Sequence, residues 1–456
     1  MSARRLTFWP ALTVFGLALA CGRPEGTVDL TIAVAPGSDL MDEVERVRLT
    51  LSDPPATREA ERGPDGDFAL ALEVSADGER GRITLEGFGA NGQLVAVGHA
   101  GPVPIAAIDA QIAIYVAAPD SIAEAPVAFD PPRSEFGAAP LGFGAVFAGG
   151  RDDAGDVLGE ALIYNVHSHG FQRGAPMPEP RAEPAVAASE PDDTVYIFGG
   201  VGEAGEAEGT GWIFDTATPP AGVYDELDAH AHLARAGRAA APLAGGRALV
   251  AGDPLVQLDP VARTVREVQG APPMTGTATT ARDDEAQIVF LTGQEGDDVA
   301  AARFEDGRAE PLEAPSDLER RGHGAAALPG GDVLVVGGEA AGTPLASAVR
   351  YSPEQSGGDD FEVVSEFLAT PRTGAAVARA RDRLLVVGGQ DEGGAVLADA
   401  ELFDAETLAP IAELPLSAAR RGAVALPLAN GQILIAGGTD QQGDPVGALE
   451  LFTPDA

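Results

Sequence analysis

Cysteine occurs once, at Cys21, so no disulfide can close within the chain and no cysteine-rich metal site can be assembled. Lysine is absent, and the 30 arginines face 70 acidic residues, a formal net charge of -40. A chain this negative repels phosphate, which excludes nucleic acid as a partner and gives no electrostatic purchase on an anionic lipid surface. The acidity fits solubility and a composition weighted toward Ala, Gly, Pro and Arg; adaptation to high salt or capture of cations would also produce it. Aromatic residues make up only 5%, and outside the first twenty residues Trp212 is the one Trp. Stacking platforms for sugars are therefore scarce, which disfavours a lectin. Beyond the N-terminus no apolar run is long enough to span a bilayer.

The N-terminus has the layout of an export signal. Arg4 and Arg5 precede an apolar run from Leu6 to Ala20, interrupted by Pro10, that ends in Ala18-Leu19-Ala20 directly before Cys21. The run is too short for a spanning helix. Ala18-x-Ala20 also fits ordinary cleavage after Ala20. The segment resembles a bacterial lipoprotein signal, in which small residues precede a cysteine that is acylated and becomes the new N-terminus. That resemblance implies a signal peptide over 1–20 and lipidation of Cys21. Several acyl chains would hold the protein stably on a membrane. Gly22, rather than Asp, follows the cysteine; by resemblance to the enterobacterial sorting rule this implies the outer membrane or cell surface of a bacterial cell envelope.

Residues 27–118 read as strands. Thr27–Val34, Val44–Leu51, Phe68–Val74, Arg82–Phe88 and Gln111–Val116 alternate apolar and polar residues, the mark of one buried and one wet face. Turns such as Gly63-Pro64-Asp65-Gly66 and Gly89-Ala90-Asn91-Gly92 separate them. The spacing predicts a small β-sandwich, immunoglobulin-like or transthyretin-like, acting as a spacer or adhesion module. Ala118–Pro132, rich in Pro, Ala and acid, reads as a linker, although Ala125–Phe129 can form a strand.

The remainder is repetitive. The 58 Gly and 36 Pro are spread evenly between short apolar runs, which points to an all-β chain. Arg321-Gly322-His323-Gly324 leads to Val333–Val336, Gly337-Gly338 and then Tyr351; Arg372 leads to Leu384–Val387, Gly388-Gly389 and Phe403; Arg421 leads to Ile433–Ala436, Gly437-Gly438 and Phe452. Upstream, the glycine recurs at Gly293, Gly252, Gly199 and Gly149, and the following aromatic at Tyr164 and Phe214. The two middle repeats are worn, with Gly252-Asp253 followed by Leu258 and Gly293-Gln294 followed by Phe304. Arg133, Arg181 and Arg235 precede earlier repeats. A spacing of roughly 41 to 53 residues is that of four-stranded propeller blades.

These features resemble bacterial kelch repeats of the galactose-oxidase-like kind, an Arg-x-Gly-His opening, a strand, Gly-Gly and a strand ending near Tyr-Asp-Pro. The usual kelch Trp of the fourth strand is missing. The resemblance implies an all-β fold: a seven-bladed kelch-like β-propeller over 125–456, preceded by the small β-sandwich and the signal peptide. The last repeat ends after its third strand, so the segment near Val127 is expected to supply the fourth and tie the ring shut.

Sites of chemistry are few. By the same resemblance, galactose-oxidase chemistry needs a Cys crosslinked to a Tyr, and Cys21 is spent in the signal. There is no sialidase-type Asp-box, nucleophile elbow, His-Glu-x-x-His or phosphate loop. His167-x-His169 and His230-x-His232, with Asp225 and Asp228 near the second pair, have the spacing of metal-chelating pairs, but both are expected in exposed loops without a metal. His323 is expected to be structural. Acidic loops at Asp152–Asp156, Glu295–Asp298 and Asp440–Asp444 carry enough oxygen to hold calcium, although none has EF-hand spacing. The expectation is therefore a membrane-anchored scaffold that binds a protein partner and is not an enzyme. The alternatives are a lyase or hydrolase with a central pocket, and a calcium-dependent adhesion protein.

Overall fold

A computed structural model describes residues 28–455, except 54, 65, 67, 69–79, 105–109, 190–193, 220, 235–239, 244–245, 273–278, 283–288, 294–299, 306 and 353–359. Cys21 and the expected export signal, Arg235 and the loop Glu295–Asp298 lie outside the described residues. No helix among them is long and apolar enough to cross a membrane.

The chain is all-β and propeller-like. Among the described residues, seven four-stranded sheets follow one N-terminal sheet. The seven span 137–173, 185–227, 240–267, 279–311, 324–364, 376–415 and 424–453, the last being completed from upstream. Each runs antiparallel from its first strand outward, and the first strand of each sheet lies beside that of the next. The circuit closes where Val424–Pro427 meets Gly137–Leu141. The worn repeats form their sheets despite lacking the second glycine.

The sequence explains the stacking. Second strands such as Val333–Val336 and Ile433–Ala436 are buried at every residue, since neighbouring sheets cover both faces. On the third strand, one aromatic or Leu points back to the preceding sheet. Phe214 packs with Ile163 and Val146 of the first sheet, Phe403 with Leu334 and Val336 of the fifth, and Phe452 with Leu385 and Leu402 of the sixth. Leu258 and Phe304 do the same in the worn repeats. Tyr164 closes the series, sharing a cluster with Leu434 and Leu451 of the seventh sheet.

The closing strand is Ser121–Ala128, which pairs antiparallel with Ala448–Thr453 as the outermost strand of the seventh sheet. It begins four residues before the expected start, and Ala118–Pro132 is correspondingly no free linker. Phe129 then stacks into a nest of Phe136, Phe147 and Phe171, with ring centroids 5.1–5.5 Å from its own.

In the N-terminal region the two facing sheets predicted from sequence are replaced, among the described residues, by one six-stranded sheet. Val28–Ala33 is parallel to Ala110–Ala117, and Leu94–Pro104, Arg80–Phe88, Arg46–Leu51 and Ala56–Glu61 follow in order. Inward residues of five of these strands share a single core, from Leu30 and Ile32 to Leu85 and Ile114, so the sheet wraps its own apolar face. Leu94–Pro104 lacks the alternation that marks strands. Its Gly98 is required because a Cβ there would stand 2.6 Å from the Tyr115 carbonyl oxygen.

Buried arginines join neighbouring sheets. Arg320, Arg372 and Arg420 each donate through Nη1 to the carbonyl of the first Gly of their own repeat, at Gly337, Gly388 and Gly437. Their backbone carbonyls reach the preceding sheet: the Arg372 carbonyl accepts from Gly338 and the Arg420 carbonyl from Gly389. The repeat arginines of the fifth and seventh sheets are thus Arg320 and Arg420, one residue before the Arg321 and Arg421 expected from sequence. Arg420 meets Glu450 at 2.6 Å, with both side chains almost wholly buried. Arg420→Ala should cost about 3–5 kcal/mol, because Glu450 is left as a buried unpaired charge. The exposed neighbour change Arg421→Ala should cost no more than about 1 kcal/mol. Urea unfolding of the two variants checks the assignment.

Candidate functional site

In an antiparallel four-stranded sheet, the Gly-Gly turns and the arginine connections fall at one end, and the turns between first and second and between third and fourth strands fall at the other. The N-terminal sheet occupies part of the second end. The Ala113 amide donates to the His167 carbonyl and the Tyr115 amide to His169 Nε2. Asn430 Nδ2 donates to the His99 carbonyl, and Arg381 Nη2 lies 3.2 Å from His99 Nδ1. Arg383 forks onto Asp120, with Nη2 at 2.9 Å.

This corrects the expectation that both His pairs are exposed. His169 is 1% exposed. A backbone amide can only donate, so Nε2 carries no proton, and Nδ1–H donates to the Tyr164 hydroxyl at 2.7 Å. Burial, reinforced by His167, lowers the His169 pKa from 6.5 to about 3. His230 and His232 flank a short turn in which His230 Nδ1 accepts from the His232 amide, and His232 Nε2 lies 3.2 Å from Glu267. His323 is buried against the Arg320 carbonyl.

The Gly-Gly end is left open by the N-terminal sheet. Two residues after each described repeat arginine, the chain turns left-handed, at Glu135, Glu183, Gly322, Gly374 and Gly422. These residues are linked around the mouth of the ring: Glu183 N donates to Glu135 O, Gly374 N to Gly322 O and Gly422 N to Gly374 O, at 2.6–2.8 Å. Three repeats place Gly there, which takes positive φ freely. The first two place Glu at φ 55 and 49, a conformation costing about 1–2 kcal/mol outside Gly. Strain of this kind concentrates at functional positions. Arg151 Nε holds Glu135 Oε2 at 2.9 Å, while burial, and then the Glu135 charge, push the Glu183 carboxyl upward. Two carboxyls brought together on strained backbone mark the mouth as a candidate site. Sequence reading missed this pair although it named Arg133 and Arg181, because Glu135 and Glu183 are 48 residues apart and nothing local announces that the ring bonds their two turns together.

Around the mouth stand the loops between second and third strands. Asp153, Glu203, Glu392 and Asp444 are exposed on them. In two of the loops singled out for calcium, Asp152 Oδ1 accepts from Ala154 and Asp156, and Asp440 Oδ1 from Gln442 and Asp444. One oxygen of each is thus spent on its own turn.

No family model matches the chain, and no curated protein matches its sequence. Among solved structures it is similar to a fungal alcohol oxidase of the AA5 family in complex with copper. Identity is 16% and the TM-score 0.54, over 73% of this chain and 75% of that one. It is also similar to YjhT, at 16% identity and TM-score 0.45, over 60% of this chain and 95% of YjhT. At such identity the likeness to the oxidase concerns the fold. It nonetheless overturns the expectation that this chain is not an enzyme, since the same architecture carries an oxidase. The residues present do not fit a copper centre: among the described residues no three His, Cys, Asp or Glu side chains come together as ligands, and His169 and His323 are committed to neighbouring groups.

The buried histidines give a pH prediction. His99, His169 and His323 have pKa values lowered by burial to about 4, 3 and 4. Below pH 6.5 the unfolded chain takes up protons that the folded chain refuses, so stability falls as pH drops from 6.5 toward 4, by about 1.4 kcal/mol per pH unit for each. His169→Gln should flatten that fall in urea titrations by one histidine's share; an unchanged slope would contradict the assignment.

Proposed function

We propose that the protein is a kelch-like lipoprotein with a seven-bladed propeller. It is held at the bacterial envelope through acylated Cys21, and the Gly-Gly end of its ring binds a basic segment of a protein partner. One observation carries this reading: the N-terminal sheet, which follows the anchor, is docked on the opposite end, leaving the acidic Gly-Gly end to face outward. The docking is polar, apolar and charged at once, so the module acts as a rigid mount for the ring. Asp153, Glu203, Glu392 and Asp444 supply attraction to positive charge without being needed for the turns. The Glu135–Glu183 pair at the centre gives the face a place for specific contact, and chemistry on a bound group there is compatible with the reading.

Cells expressing the wild type, Cys21→Ser and the quadruple variant D153N/E203Q/E392Q/D444N can be fractionated and each fraction probed with labelled nona-arginine. Wild-type membranes should bind the peptide in a salt-sensitive way. Cys21→Ser should move the protein and the binding to the soluble fraction, and the quadruple variant should stay on the membrane and bind several-fold less. Retention of Cys21→Ser on membranes, or full binding by the quadruple variant, would count against the proposal.

A further inference from the structure

The joint between the N-terminal sheet and the ring gathers three of the chain's six histidines. His99 comes from the N-terminal sheet, and His167 and His169 come from the turn between the third and fourth strands of the first ring sheet. His99 and His169 are 2% and 1% exposed. His167 Nδ1 is buried without a partner among the described residues, and its Cε1 stands 3.6 Å from where a Cβ on Gly101 would lie.

The two most buried rings each accept across the joint, one in each direction. Arg381 reaches from the turn between the first and second strands of the sixth sheet, and its Nη2 lies 3.2 Å from His99 Nδ1. A guanidinium can only donate, so that nitrogen carries no proton. In the other direction His169 Nε2 accepts from the Tyr115 amide of the N-terminal sheet at 3.1 Å. A proton added to either acceptor sets an N–H against a group that cannot accept it.

The charges facing the rings oppose such a proton. Around His99 stand the guanidiniums of Arg82 and Arg381, the Thr84 hydroxyl at 3.3 Å and the Pro454 carbonyl. Asp382 and Asp455 act on Arg381 and also meet Arg383, at 2.7 Å and 3.6 Å; neither acts on His99 itself. Around His169 stand the Tyr164 hydroxyl, the Tyr115 amide, the Ala113 carbonyl and His167, none of them a carboxylate.

We propose that this joint is an acid-released latch: as its histidines take up protons, the N-terminal sheet lets go of the ring while the sheets across the ring stay folded. Docked, burial and then Arg381 and Arg82 lower the His99 pKa to about 4, and burial and then His167 lower that of His169 to about 3. Released, both return toward 6.5. Docking is therefore tightest above pH 6.5 and weakens as pH falls toward 4, the opening constant rising about tenfold per pH unit for each of the two histidines. The latch is independent of the reading given to the Gly-Gly end.

Hydrogen exchange of the full chain from about pH 7 to about pH 4, corrected for intrinsic rates, tests the latch. Leu94–Ala100 and Ala110–Ala117 should lose protection in acid ahead of the third and fourth sheets. His99→Gln keeps an oxygen that can accept from Arg381 but takes up no proton, and it should remove about tenfold per pH unit from the rise in opening. His169→Gln should remove a similar share, so a variant that fails to fold leaves the other to decide. His323→Gln, within the fifth sheet, should leave the pH dependence of the joint unchanged. Joint and distant sheets losing protection together in the wild type, or an unchanged pH dependence in a folded joint variant, would overturn the proposal.

Discussion

Everything in this molecule depends on closing the circuit of sheets. A stack of sheets with two ends would expose the apolar faces of its first and last members, including Tyr164, Leu434 and Leu451, which here share one cluster. The seventh sheet lacks an outer strand of its own, and Ser121–Ala128 supplies it from before the first sheet. The two ends of the ring are thereby bonded along a whole strand. The N-terminal sheet continues the same join: Ala113, Tyr115 and Ala117 belong to the apolar cluster that holds the first and seventh sheets together. Tyr115 then donates its hydroxyl proton to the Glu124 carbonyl, and its amide proton to His169. Closure, strand exchange and docking form one continuous interface.

That continuity decides orientation. The N-terminal sheet is fixed to the turns opposite the Gly-Gly loops, and so sets which end of the ring it covers. The repeat arginines serve the same rigidity between sheets. Arg372 and Arg420 each span a boundary, with the side chain on their own Gly-Gly turn and the carbonyl on the preceding one. Burial lowers the pKa of Arg320 to about 10, and charge survives because carbonyls and carboxylates surround these groups. A glycine pair can accept from one guanidinium and donate to the next arginine's carbonyl so closely only because neither residue carries a Cβ; one at Gly388 would stand 2.2 Å from the Arg420 carbonyl oxygen.

Much of the ring was legible because its signals are local. Gly-Gly after four apolar residues and a later aromatic specify a sheet whatever the rest of the chain does, and the missing fourth strand could be inferred by counting. The register of the arginines was harder. Arg320-Arg321 and Arg420-Arg421 are tandem pairs, and only the position of the left-handed Gly322 and Gly422 tells which member turns inward. The N-terminal sheet was legible where strands alternate and illegible at Leu94–Pro104, where glycines replace side chains because Ile114 and the Tyr115 carbonyl already fill the space. His169 looked like a loop residue since nothing in its neighbourhood announces that Tyr115, 54 residues earlier, will cover it. The mouth glutamates are departures from a repeat that places Gly at the same turn in three other sheets, and they become visible only once the ring brings those turns together.

Hydrogen exchange on the variant Ala123→Pro tests the central claim most directly. The substitution removes one amide from the closing strand at its pairing with Leu451. If closure, strand exchange and docking are one interface, amides of the seventh sheet, the first sheet and Ala110–Ala117 should lose protection together, while the third and fourth sheets across the ring keep theirs. Loss confined to Ser121–Ala128 would mean that the ring closes without its upstream strand, and would contradict the account.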